Sequence, residues 1–175
     1  LPGDQSSGAM AVYTETDTSV LYGSGSDDFA LSSFNTGTGA RSDSGQTLDQ
    51  CYALSNRGVM GLGATLNFGN FAGTSLTNNL MKFISARLQL TTASAVNRDR
   101  GQYRVFFSDN TALYMTMSNG QYVGALPVQY DHKVTCTCDG LDSSGGETSF
   151  FGSDDGFVYQ MDAGTSFDGN EIQAN

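Results

Sequence analysis

The residue types that could hold a soft metal sit close together past the middle of the chain. His132 is the only histidine, and Cys136 and Cys138 follow it in the pattern H-x3-C-x-C. Imidazole and thiolate are the usual zinc ligands, yet C-x-C is not a usual zinc spacing, and a fourth ligand would have to be Cys51 or a carboxylate. On a strand Cys136 and Cys138 point to the same side. The stronger expectation is that both are buried as small apolar side chains. Two acidic stretches, "SDDG" at 153–156 and "DGLDSSGGE" at 139–147, have the charge to attract Ca²⁺. Neither supplies the fixed oxygen positions of an EF-hand loop, so the expectation is turns capped by Asp side chains. No metal and no cofactor is expected.

Catalytic signatures are missing. There is no G-x-S-x-G elbow for a serine hydrolase, no G-x-G-x-x-G after a strand and no P-loop. The 18 acidic residues make carboxylate pairs plentiful, so a glycoside hydrolase would be recognised only by two carboxylates about 5–10 Å apart in a deep cleft. Tyr13, Tyr52, Tyr103, Tyr114, Tyr122 and Tyr159 offer faces on which sugars could stack, but aromatics alternating along strands more often fill a core. "SDDGFVY" at 153–159 resembles the Asp-box of sialidase propellers, short of one residue between Asp and Gly. That motif is structural, and a sialidase would also gather arginines around a carboxylate. Arg41, Arg57, Arg87, Arg98, Arg100 and Arg104 show no such set in the sequence. The chain is not expected to be an enzyme.

The elements that position these residues repeat. A unit of apolar alternation, short polar turn and apolar alternation occurs at 10–23, 51–64, 105–117 and 150–162. Its corners lie near Thr16 and Asp17, at Asn56 and Arg57 before Gly58, at Asp109 and Asn110, and at Asp154 and Asp155 before Gly156. Asn, Asp and Gly suit these corners because a tight hairpin needs positive φ there. The corners recur every 40 to 53 residues, the length of a β-propeller blade of about four antiparallel strands. The fold expected is all-β, with propeller-like blades at about 1–50, 51–95, 96–140 and 141–175. A sandwich or barrel of ordinary hairpins is the competing all-β arrangement. One segment departs from the pattern. Leu76, Leu80, Met81, Ile84 and Leu88 are spaced as one helical face, so an amphipathic helix is expected over about 75–90, capped by Thr74 or Ser75.

Composition agrees with many short strands. The 175 residues include 22 glycines, 11% aromatics and few lysines or glutamates. Length fits one domain that buries roughly 70% of its unfolded surface. Three cysteines do not make a disulfide framework. No apolar run approaches the ~18 residues of a membrane span. A formal charge of −10 opposes a grip on nucleic acid. Both ends read as cuts through a longer polypeptide.

"RGQYRVFFSDNTALYMTMSNGQYVGALPV", residues 101–129, and "FFGSDDGFVYQMDAGTSFDGNEI", residues 150–172, resemble the tail hub or nozzle proteins of short-tailed phages, including the packaged-DNA stabilisation type. "LSNRGVMGLGATLNFGNF" at 54–71 and "GDQSSGAMAVYTETDTSVLYG" at 3–23 are similar to the same family. The resemblance covers most of the chain. It implies a virion protein assembled in the host cytoplasm, with a propeller-bearing subunit in a ring of about six copies. Portal, adaptor and other tail proteins would be its partners, and the ring would retain packaged DNA and conduct it without lasting binding. A carbohydrate-binding or adhesin propeller is the alternative, and a glycoside hydrolase a more distant one.

Overall fold

The computed structural model describes residues 9–62, 76–163, 166–167 and 170–171. It is mostly β, in four main antiparallel sheets, none closed. The first sheet is β1 (Ala9–Tyr13), β2 (Asp17–Tyr22) and β3 (Ala30–Thr36). The second is β4 (Gln46–Thr47), β5 (Cys51–Ser55) and β6 (Gly58–Gly61). The third is β7 (Thr91–Asn97), β8 (Gln102–Phe107), β9 (Thr111–Ser118) and β10 (Gln121–Gln129). The fourth is β11 (Val134–Leu141), β12 (Glu147–Ser153) and β13 (Val158–Gln160). A two-stranded ladder, β14 (Ser166–Phe167) with β15 (Asn170–Glu171), follows. Within each sheet every strand pairs with its neighbour in sequence, so each sheet is a local meander.

The corners explain the meanders. Asn56 and Arg57 join β5 to β6, and Gly58 enters β6 at φ +100°. Asp109 and Asn110 join β8 to β9, with Asn110 at φ +63°. Asp154, Asp155 and Gly156 lie between β12 and β13, with Gly156 at φ +88°. Glycine and asparagine occupy this left-handed region at least cost. The sheet boundaries differ from the units expected from spacing. β7 pairs with β8, so the third sheet starts at Thr91 rather than 96, and Leu141 ends β11 instead of opening a unit. Corner spacing locates a hairpin; which sheet takes the flanking strand is decided by pairing register.

Face-to-face packing joins the second, third and fourth sheets in chain order. Tyr52, Leu54 and Val59 of the second sheet pack with Val96, Tyr103, Val105, Leu113 and Met115 on one face of the third. Ala93, Ala95, Phe106 and Ala112 on the third sheet's other face pack with Val134 and Phe151 of the fourth. Thr18 of the first sheet and Ala53 and Met60 of the second line the space between those two sheets. The chain between β3 and β4 runs tight against the β1–β2 turn, where a Cβ at Gly39 would lie 1.9 Å from the Thr14 carbonyl oxygen; only glycine fits.

The helix expected over 75–90 is broken. It consists of a 3₁₀ turn Asn78–Leu80, the short helix α1 (Met81–Ser85) and a second 3₁₀ turn Leu88–Leu90. Thr77 and Leu80 make no side-chain caps; the Thr77 hydroxyl accepts instead from the Val59 N–H at 3.1 Å. The hydroxyl that precedes the first turn is thus bonded to β6 and not to the turn itself. Thr74 and Ser75 lie outside the described residues. Leu76, Leu80, Phe83, Ile84 and Leu88 still pack on the core between the second and third sheets. No helix among the described residues is long and apolar enough to cross a membrane.

Candidate functional site

The polar groups that matter most lie at the junctions between sheets. Ser94 of β7 is buried where three first strands meet. Its carbonyl accepts from Gln46 Nε2 of β4 at 2.9 Å and from Thr137 Oγ1 of β11 at 2.7 Å. Its hydroxyl donates to the Asp43 carbonyl at 2.6 Å and accepts from Gln46 Nε2 at 3.1 Å. Thr92 Oγ1, also on β7, donates to the Val134 carbonyl at 2.7 Å. Short hydroxyl side chains let the strands approach closely while satisfying backbone groups that burial would otherwise orphan.

A second junction centres on Arg104 of β8, fully buried between the third and fourth sheets. Its Nη2 donates to Asp162 Oδ2 and to Gln102 Oε1, both at 2.7 Å. The guanidinium lies 4.3 Å over the Tyr114 ring. Arg100 reaches the other Asp162 oxygen at 3.5 Å. The Tyr114 and Tyr130 hydroxyls bond each other. Burial pushes both phenols up, with Arg104 opposing it. They stay protonated at neutral pH and act as fixed dipoles, not as bases. A buried charge is tolerated here because it is paired and hydrogen-bonded.

The groups proposed from sequence for metal and acid–base chemistry are dispersed or committed. His132 Nδ1 sits 3.2 Å from Asp155 Oδ2, with its ring stacked on Tyr159. Asp155 also accepts from Tyr159 OH at 2.6 Å and from the Phe157 N–H. Those bonds, the Tyr159 hydroxyl first, hold its carboxyl below the usual range. Cys136 and Cys138 are exposed, which corrects the expectation of burial. Both point to the face of the fourth sheet turned away from the third, since Thr137 between them points inward to Ser94. Among the described residues no three His, Cys, Asp or Glu side chains converge on one point.

The acidic stretches fold their own turns. Asp142 Oδ1 accepts from the Ser144 hydroxyl and from the N–H groups of Ser144 and Gly146. Glu147 holds the β7–β8 turn through Arg98 and the Asp99 N–H. The other arginines are spread out: Arg41 pairs with Glu15 and Arg87 with Asp109. Asp109 also takes the Thr111 hydroxyl at 2.6 Å.

Of the tyrosines, Tyr52 and Tyr103 are fully buried, the latter donating to the Ser44 carbonyl at 2.7 Å. Neither offers a face to a sugar. Tyr13 differs. It lines an open cleft of about 600 Å³ between the first and second sheets, with Gln46, Asp49, Gln50 and Arg98, and burial pushes its hydroxyl up to about 12.

Sequence reasoning found the corners and missed the junctions. Ser94 lies 48 residues from Gln46 and Arg104 lies 58 from Asp162, and no local pattern marks either pair. Comparison of the chain with protein-family models, curated proteins and solved structures finds no match.

Proposed function

We propose that this chain is a non-catalytic scaffold, a run of propeller-like blades from the hub or nozzle of a short-tailed phage. The observation that carries the reading is the junction at Ser94, where the first strands of successive meanders come together. First strands of successive meanders meeting around one line is what a propeller axis requires. The resemblance at 101–129 and 150–172 supplies the context, and the net charge of −10 suits the role. Duplex DNA carries one negative charge per about 1.7 Å, so an acidic wall conducts it without holding it. The protein then belongs to the virion, in a ring that extends the portal–adaptor channel. Electron microscopy of the protein mixed with portal and adaptor tests this: a ring seated on the adaptor is expected, and a protein that ignores both contradicts it.

One observation favours a second reading, carbohydrate binding. The cleft beside Tyr13 combines a half-buried aromatic with amide, carboxylate and guanidinium groups. A glycan array that gives signal, lost in Tyr13→Ala, would support it over the scaffold.

A further inference from the structure

The cleft between the first and second sheets has two unlike walls. Ala11 and Tyr13 of β1 form an apolar one; Gln46, Thr47 and Asp49, on β4 and the turn after it, form a polar one. A hollow of about 380 Å³ shares Tyr13 and Gly45 with the cleft of about 600 Å³, so the tyrosine ring stands mid-groove with open space to either side. Three polar groups on these walls are unused among the described residues. The Tyr13 hydroxyl makes no hydrogen bond there. Asp49 Oδ1 accepts from the Tyr52 hydroxyl at 2.8 Å and from the Gln50 N–H, which leaves Oδ2 open. Gln46 spends its Nε2 on Ser94, which leaves Oε1 open. Arg98 is committed instead: Nη1 donates to Glu147 at 3.1 Å and Nη2 to the Thr47 carbonyl at 3.4 Å.

We infer that this groove takes an uncharged saccharide, with a C–H face of one sugar ring on Tyr13 and its hydroxyls donating to Asp49 Oδ2 and Gln46 Oε1. The inference rests on the carbohydrate reading of this cleft and names the class of sugar. The open oxygens of Asp49 and Gln46 can only accept, so the ligand must bring donors, and a sugar edge brings several. The opposite wall asks for an apolar surface, which a sugar ring supplies on its C–H face and which the flat body of a tyrosine matches. Small-molecule sites combine such a wall with a few placed polar groups in volumes of about 300–1,000 Å³. Charge excludes the sugar acids and the amino sugars. An anion would meet the Asp49 carboxylate in a protein of net charge −10. The one guanidinium on the cleft wall is already neutralised by Glu147, so it offers an acid no free cation, and it stands against an ammonium. A neutral ligand meets neither opposition.

Saturation-transfer NMR on the 175-residue chain tests it with five disaccharides. Maltose, lactose and mannobiose are neutral, digalacturonate is acidic and the glucosamine disaccharide is basic. At least one neutral disaccharide is expected to bind, with transfer strongest to the C–H protons of one ring face, and neither charged one. Two conservative variants read the polar contacts. Tyr13→Phe keeps the ring and removes the hydroxyl; Asp49→Asn keeps an oxygen for the Tyr52 hydroxyl and removes the charged acceptor. Circular dichroism verifies that both fold, and each should weaken the bound neutral disaccharide about tenfold. Unchanged affinity in either variant overturns the inference. Binding of the acidic or the basic disaccharide alone also overturns it, while leaving the carbohydrate reading standing. No binding by any of the five overturns both.

Discussion

The third and fourth sheets are built from similar hairpins but have different lives. In β8 the side chains from Tyr103 to Phe107 are all buried, whichever way they point. In β12 burial alternates, with Ser149 and Phe151 inward and Phe150 outward. A strand covered on both faces reads as a continuous apolar run, while one covered on a single face alternates. The third sheet also carries the two polar junctions, Ser94 toward the second and fourth sheets and Arg104 toward the fourth. It is the keystone of the stack, and the fourth sheet is its rim.

That contrast is breakable, and the largest effect belongs to the aromatic core of the keystone. Phe106 is fully buried and meets Tyr114 and Tyr130 edge-on. Phe106→Ala should cost about 3–5 kcal/mol in denaturant unfolding, against ~1 kcal/mol or less for Phe150→Ala on the outer face. Equal losses would erase the distinction. Asp162→Ala comes next. It strips Arg104 of its ion pair while leaving the guanidinium buried, and should cost about 3 kcal/mol. The double variant Arg104→Met with Asp162→Ala should recover part of that loss, because no unpaired charge then remains. Ser94→Ala removes one donor and one acceptor at the first-strand junction and should cost about 1–2 kcal/mol.

The smallest effect is at two hairpin corners, one on each sheet, and is visible only in acid. The Tyr159 hydroxyl and the Phe157 N–H hold the Asp155 carboxyl below its usual value. At Asp109 burial pushes the carboxyl up, but the Thr111 hydroxyl and N–H together with Arg87 outweigh it, and the net shift is downward. A folded value below the unfolded ~3.9 means that the stabilisation is fully present above that pH. It is lost as pH falls through the folded values. Stability should therefore drop below about pH 4, and Asp155→Asn should shallow that drop while changing little at pH 7. A variant whose acid limb matches the wild type would show that this corner contributes nothing.

How much of this was legible in the sequence depends on the range over which each feature is encoded. The corners at Asn56, Asp109 and Asp154 were readable because two or three adjacent residues fix a turn. The apolar stripe through Leu80, Ile84 and Leu88 was readable as a packed face, but its breakage into three short turns was not, because the same spacing fits an unbroken helix. That Cys136 and Cys138 share a side follows from strand period. Which side depends on Thr137 reaching Ser94 across 43 residues. Ser94 and Arg104 gave no local signal, being an ordinary serine and an ordinary arginine until the sheets stack.

Hydrogen exchange of backbone amides, followed on the dilute chain, tests the stack most directly. Amides of β8 and the β7 amides around Ser94 should exchange only through global unfolding, and those of β3 and β13 through local opening at least tenfold faster, a difference of about 1.4 kcal/mol. Equal protection across the four sheets, or a third sheet that opens before the fourth, would contradict the account.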